Sequence, residues 1–240
     1  MSRIVVLEWS HSGQSREVTD TFVEPLILAG HTVERVKLGV DTTYPFPWTP
    51  VQFFGLFPET VLMRPPPALP VELPEGEVDL VIASGSIWYL RPCQPWQAFM
   101  DGPQASWLAG KRVLTLTTCR NMWINGWNIW IDRLRALGAQ VVDRVTVTHS
   151  GPVFASFYTT VYWSVTGKRE VAGLPKVEID AATLERVRGF GATLAERLSG
   201  EGSLLSDLDT APISHAHAFP ELLFGRVVFP ALATVYAALS

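Results

Sequence analysis

The apolar and polar positions of the first residues follow two periods in turn. An apolar run over residues 3–9 predicts a buried strand, and helical spacing over residues 15–29 predicts a helix that Gly30 ends. Alternation over residues 31–38 predicts a second strand, half buried at a sheet edge. The chain therefore begins with a strand–helix–strand unit.

Later segments repeat this order. Further strands are predicted over residues 79–84, 111–118 and 140–149. Further helices are predicted over residues 95–100, over a segment after the fourth strand that ends near residue 137, and over residues 181–199. Strands that alternate with helices at crossover spacing predict a five-stranded parallel sheet with helices on both faces. The expected fold class is a three-layer α/β sandwich.

Two segments depart from this order. Residues 40–76 are rich in proline and aromatic residues, which favour burial, so we predict an ordered insertion, with a short helix over residues 50–57, that folds over the sheet's functional edge. Residues 201–240 extend a domain of residues 1–200, and residues 201–217 are predicted to be a loop. Charges and a proline interrupt the apolar stretch 219–239. Three interpretations stay open for it: a docked helix pair or dimer element, a membrane-surface helix, and a membrane span.

The loop after the first strand is rich in hydroxyl groups and precedes a helix. It consists of Ser10, His11, Ser12, Gly13, Gln14 and Ser15. Backbone N–H groups at a helix N-terminus bind anions, and the helix dipole favours negative charge there. The loop matches neither G-x-G-x-x-G nor G-x-x-x-x-G-K-[ST], so we predict a cradle for one phosphate monoester. It resembles the flavodoxin phosphate loop, [ST]-x-[ST]-G-x-[ST]. The alternative is a turn in which the serines only cap the helix.

Two further loops follow strands three and four. The first contains Ile87, Trp88, Tyr89 and Leu90, and the second contains Cys119, Arg120, Asn121 and Met122. Ligands of such folds bind at the carboxyl ends of the strands, and a single-phosphate loop favours the flavodoxin-like strand order 2-1-3-4-5. A phosphate cradle, an aromatic plate and a hydrogen-bonding loop together predict an FMN site. The alternative is a flavodoxin-like fold that has lost its flavin.

Several side chains are candidates for catalysis. We expect Arg120 to bind a carboxylate or stabilise an enolate, with Arg91 doing the same from the opposite wall. Tyr89 is a further catalytic candidate that also offers a planar surface. His11 is either a phosphate contact or acid/base, or a solvent-facing loop residue. Cys119 is either a stabilised thiolate at a strand end or a packing residue.

Composition removes other classes of function. The net charge of −4 and a pI near 5.7 do not suggest the basic surface that a nucleic-acid-binding protein needs. Two cysteines, Cys93 and Cys119, are too few for a disulfide framework or a zinc site, and His215 and His217 lack partners at metal spacing. No metal is expected. Because no signal peptide is evident, we expect a cytoplasmic protein, peripheral to a membrane if residues 219–239 contact lipid.

Five motifs point to a more specific family. They are WSHSGQS at residues 9–15, YPFPWTPVQFFGLFPETVL at 44–62, IWYLRPCQP at 87–95, RNMW at 120–123 and WSVTGK at 163–168. Over about residues 3–195 the chain resembles the flavodoxin-related proteins of bacterial dialkylresorcinol biosynthesis, often labelled dialkylresorcinol condensing enzymes. The resemblance implies a ketosynthase-like partner and an aromatase that converts a cyclohexanedione into a resorcinol.

Four hypotheses of function follow. A condensing activity fits poorly, because neither cysteine has a histidine near it in sequence to activate it. FMN-dependent oxidative aromatisation of an alkylated cyclohexanedione fits better, since the aromatic residues of 44–62 and 154–163 supply an apolar pocket for alkyl chains. The alternatives are an NAD(P)H-dependent quinone or enone reductase and a flavin-free scaffold for a ketosynthase. A homodimer is expected.

Overall fold

A computed structural model describes most of the chain. The described residues are 1–149, 153–174, 176, 178–198, 200, 203–208, 210 and 220–239, with the side chains of 153–157 excepted. Most of the predicted loop 201–217, together with His215 and His217, lies outside these ranges.

One sheet organises the molecule. Its strands are β1 (Arg3–Glu8), β2 (Thr32–Lys37), β3 (Leu80–Trp88), β4 (Arg91–Pro92), β5 (Arg112–Cys119) and β6 (Gln140–Thr148). Five of them are parallel in the order β2-β1-β3-β5-β6, which is the predicted doubly wound order, and the flavodoxin-like fold class is confirmed. A short antiparallel strand, β4, pairs with β3 and was not predicted.

Among the described residues, helices lie on both faces of the sheet and in the added segments. They are α1 (Gln14–Leu28), α2 (Pro50–Val61), α3 (Gln94–Asp101), α4 (Ile124–Ala136), α5 (Val153–Thr166), α6 (Ala181–Arg197) and α7 (Pro220–Leu239). The core on one face joins the sheet to α1 and α6, and the core on the other joins it to α3 and α4. Most residues of the buried strands are apolar on both faces, as is typical of a parallel sheet, and the buried hydroxyl groups of β3 and β5 are exceptions.

Strand β3 extends four residues beyond its predicted end at residue 84. Gly85 reads as a strand terminator in the sequence, but here it gives room to Trp96. A Cβ at Gly85 would lie 2.6 Å from the Trp96 ring, whose Nε1 donates to the Ser84 carbonyl at 2.8 Å. The glycine thus marks a close approach rather than a strand end.

The insertion is ordered, as predicted. It begins beside β2, where Val40 pairs with Ala68 in an antiparallel bridge. Helix α2 starts at the predicted Pro50, and Thr49 and Gln52 form a reciprocal capping box there. The helix runs to Val61 rather than residue 57, because Pro58 removes one N–H donor without ending it.

The C-terminal stretch is one helix and not a pair, and the dimer element, the membrane-surface helix and the membrane span stay open. Helix α7 contains a π-helical segment, Phe224–Val228, and continues through Pro230. By length and composition it could cross a membrane, and only 11 % of an apolar 18-residue window within it is buried.

Gly191 on α6 provides a test of the α1–α6 contact. A Cβ there would lie 2.2 Å from the Phe22 carbonyl oxygen, and backbone does not yield easily. We expect Gly191→Ala to lower the free energy of unfolding by roughly 1–3 kcal/mol in denaturant titrations. Gly189 on the same helix is exposed and has open space at its Cβ, so Gly189→Ala should raise stability by about 0.5–1 kcal/mol. Equal effects of the two substitutions would contradict the packing.

Candidate functional site

The predicted phosphate cradle forms the link between β1 and α1. Gly13 has φ +90° and precedes the first helical residue, Gln14. The first N–H groups of a helix have no acceptor within the helix. One of them, the Arg16 N–H, donates to the Ser10 hydroxyl at 3.3 Å. The cradle therefore offers backbone donors at the positive end of a helix dipole.

A row of hydroxyl groups leads from the cradle across the sheet. The Ser15 and Ser86 hydroxyls are 2.8 Å apart, and those of Thr19 and Ser84 are 2.6 Å apart. The strand register places Ser86 of β3 beside Thr118 of β5. Thr118 is buried, and its hydroxyl has no hydrogen-bond partner among the described residues. The row thus ends at an unused polar group.

Arg120 and His149 meet next to this row. One Arg120 nitrogen lies 3.0 Å from His149 Nδ1, and another donates to the Thr159 hydroxyl of α5 at 2.5 Å. Burial lowers the pKa of Arg120 to about 10, which leaves it charged at neutral pH. Burial, with the charges of Arg120 and Arg169, lowers the pKa of His149 to about 3.

The protonation of His149 follows from its neighbour. A guanidinium only donates, so His149 Nδ1 accepts, and the single proton of the neutral ring resides on Nε2. That N–H is buried in a side chain 7 % exposed, and it has no acceptor within the described part of the chain. Arg120 and His149 together form a cationic donor pair that suits an oxygen anion.

His11 lies within an aromatic cluster. We use this name for Trp9, His11, Tyr44, Phe46, Trp48 and Trp88. The His11 ring stacks on Trp48 with centroids 4.3 Å apart, and its Nε2 lies 2.9 Å from the Pro45 carbonyl, which accepts. Burial lowers the pKa of His11, so the ring is neutral. His11 therefore connects the cradle to the insertion.

Trp88 and Tyr89, the predicted plate, belong to the wall that the insertion completes. Trp88 makes edge contacts with Trp9 and Trp48, each with centroids 5.0 Å apart. The Tyr89 hydroxyl donates to the Phe53 carbonyl of α2 at 2.5 Å, and burial raises its pKa. A contact between Phe46 and Trp163 extends the wall to α5.

The turn after β3 is strained. Tyr89 has φ +47° and Leu90 has φ +62°, the backbone of a two-residue hairpin turn that asparagine and glycine ordinarily occupy. Positive φ at such residues costs about 1–3 kcal/mol each. Ile87, just before the turn, packs so closely on α4 that a Cβ at Gly126 would lie 2.6 Å from it. The end of β3 thus packs directly against the start of α4, the helix that follows the loop after β5.

The remaining residues of the predicted second loop have mixed surroundings. Burial raises the pKa of Cys119 to about 12, and its thiol lies 3.4 Å from the Met122 carbonyl, so it is a neutral group at physiological pH. Asn121 Nδ2 is buried without a described partner. Arg91 donates to the carbonyls of Val61, Leu90 and Gly225, so its role is structural and not that of the predicted substrate ligand.

A cleft of about 440 Å³ opens on the other side of the cradle. Trp9, Ser10, His11, Lys37, Leu38, Gly39, Val40, Thr42, Tyr44, Leu69, Pro70 and Val71 line it. Among the residues that the structure describes, no cluster of three or more His, Cys, Asp or Glu side chains could hold a metal ion.

Glu221 is a residue that the sequence did not reveal. Its carboxylate accepts from the Asn125 N–H at 2.7 Å and so caps α4, directly after the Arg120 loop. Burial raises its pKa to about 7. The partners lie 96 positions apart in sequence, and no local pattern connects them.

Comparison with known proteins yields similarity at the level of structure alone. No protein-family model matches, and no curated protein is significantly similar in sequence. An archaeal flavodoxin has a TM-score of 0.45 and 13 % identity, covering 83 % of this chain and all of its own. Oxidised flavodoxin 1 from Bacillus cereus has a TM-score of 0.46 and 16 % identity, covering 82 % and 100 %. A Lactobacillus acidophilus flavoprotein in complex with FMN has a TM-score of 0.48 and 14 % identity, covering 61 % and 93 %.

The carboxyl of Glu221 makes stability depend on pH. Because its pKa is raised from 4.5 to about 7, its contribution to stability is lost as the pH rises through this interval. Glu221→Gln keeps an oxygen acceptor for Asn125 and removes the titration. Relative to the wild type, we expect this variant to gain on the order of 2 kcal/mol between about pH 5 and pH 8 in denaturant titrations. Glu72→Gln, at an exposed position, should show no such change, and a pH-independent difference for Glu221→Gln would contradict the assignment.

Proposed function

We propose that this protein binds FMN at the cradle and is a flavin-dependent oxidoreductase. The cradle supports this because the N–H groups of residues 12–15, the serine hydroxyls and the positive φ of Gly13 suit a phosphate monoester. The hydroxyl row from Ser15 to Thr118 matches a polyhydroxyl chain in chemistry. FMN supplies an acceptor for a hydride when it is bound.

The test is a titration of FMN into the purified protein, followed by flavin fluorescence. We expect binding at micromolar or lower FMN and its loss in Ser12→Asp, because a carboxylate in the cradle repels the phosphate. Ser106→Asp, at an exposed position, is the matched control and should bind as the wild type does. Retained binding in Ser12→Asp would place the phosphate elsewhere, and no binding by the wild type would favour the flavin-free scaffold.

We infer that the reaction is the oxidative aromatisation of an alkylated cyclohexane-1,3-dione to a resorcinol. The observation that supports this most is the donor pair: a buried guanidinium beside a histidine whose Nε2–H has no described acceptor. Removal of the acidic proton between the two carbonyls gives an enolate, and Arg120 and His149 are suited to hold its oxygens. The acidic proton would pass to water, and FMN, when bound, would supply the acceptor for the hydride that the ring must also lose, so that two hydrogens leave in total.

The walls of the site suit the rest of such a substrate. Trp88, Tyr89 and Phe53 are apolar surfaces that alkyl chains favour, and they exclude water. Burial keeps His149 neutral at neutral pH, so that it donates without itself carrying charge. Turnover would also require oxygen or another electron acceptor to take up the two electrons.

A synthetic 2,5-dialkylcyclohexane-1,3-dione tests the reaction. We expect the FMN-loaded wild type to form the resorcinol, detected by mass spectrometry, and Arg120→Lys to form it at least ~10-fold more slowly, because an ammonium cannot reach both His149 and Thr159. Arg186→Lys, on the exposed side of α6, is the control. Rapid NAD(P)H-driven quinone turnover without resorcinol would instead support the reductase.

A further inference from the structure

Helix α7 exposes a large apolar surface. Residues 227–239 contain no charged residue, and the exposed large side chains of α7 include four at the spacing i, i+3, i+4, i+7. Those four are Leu232 at 54 %, Val235 at 58 %, Tyr236 at 46 % and Leu239 at 85 % exposure. In water such a stripe is unfavourable, so it indicates a surface that something covers.

The start of α7 is fixed to the body of the protein. Glu221 caps α4, and the Gly225 carbonyl accepts from the buried Arg91 at 2.9 Å. Gly225 lies against the Asn125 side chain, where a Cβ would come within 2.5 Å. Further along, Phe229 packs on Phe57 of α2 with ring centroids 5.3 Å apart. The helix is therefore a built element whose far half projects its apolar side outward.

Helix α2 adds to this surface. It packs along α7 and leaves Val51 82 % and Phe54 56 % exposed. Both side chains belong to the insertion that covers the candidate site. Two adjacent helices thus present apolar side chains to solvent.

A lipid surface fits this chemistry better than a second copy of the chain. Paired helices flank their apolar seam with charges that set partner and orientation, whereas Ala231, Thr234 and Ala238 flank this stripe. An uncharged flank is acceptable at the acyl boundary of a bilayer. Arg226, at the start of the apolar stretch, and Tyr236, within it, are residues of the kind that sit at the membrane–water interface.

The geometry favours a helix that lies on the membrane. The start of α7 is bound to the body of the protein through Glu221 and Gly225, so the helix cannot leave the protein surface as a free span. Contact with α2 along its length also holds α7 against the protein. We propose that α7, together with the exposed residues of α2, docks this protein on the surface of a lipid bilayer.

Co-sedimentation of the full chain with phosphatidylcholine vesicles tests this. We expect the wild type to bind, and the variant Leu232→Glu with Val235→Glu to bind at least ~10-fold more weakly, since each carboxylate must leave the acyl boundary for water. Because the net charge is −4, adding phosphatidylglycerol should not strengthen binding. Both side chains are exposed, so the variant should keep the wild-type circular dichroism and melting temperature.

The matched control carries the same charges elsewhere. Ile27→Glu with Leu28→Glu changes two exposed apolar residues at the end of α1 and should bind vesicles as the wild type does. A wild type that stays in the supernatant would overturn the proposal. So would a stable dimer in light scattering that the α7 variant dissociates, because the second copy would then be the occupant.

Discussion

A single buried guanidinium connects the added parts of this fold. Arg91 is 6 % exposed and donates to three backbone carbonyls, one from the end of α2, one from the strained turn and one from α7. A buried charge is costly unless it is fully hydrogen bonded, and burial accordingly lowers the pKa of Arg91. The insertion, the turn after β3 and the C-terminal helix therefore depend on one another, since moving any of them leaves this charge with an unmet donor.

The sheet explains why polar groups gather where they do. Five parallel strands end at the same edge, and the register sets Ser86 beside Thr118 while α1 brings Ser15 to Ser86. Sequence patterns predict this arrangement, because the alternation of strands and helices determines which loops lie at the same edge of the sheet. The alternation of strands and helices followed from periodicity and the strand order from the type of loop after the first strand, while the binding roles of the loop residues stay predictions.

Long-range contacts were beyond those patterns. His11 is in the predicted loop, yet its ring packs against Trp48 of the insertion, which no periodicity reveals. Arg91 is a plausible substrate ligand in sequence, and only its three carbonyl partners show another role. The strand end at Gly85 was misplaced because a glycine that admits Trp96 and a glycine that ends a strand look alike in sequence. Glu221 caps α4 across 96 positions.

Several buried polar groups in the described part of the chain lack hydrogen-bond partners, and those beside Arg120 bear on function. Each unpaired buried donor costs about 1–3 kcal/mol, and His149 Nε2, Thr118 Oγ1 and Asn121 Nδ2 are three such groups among the described residues. The positive φ angles of Tyr89 and Leu90 add a cost of similar size in the adjacent loop. Apolar residues at these positions would give a more stable fold if packing were the only requirement. A polar ligand that accepts from these donors would offset the cost, so the edge beside Arg120 is where we place the substrate.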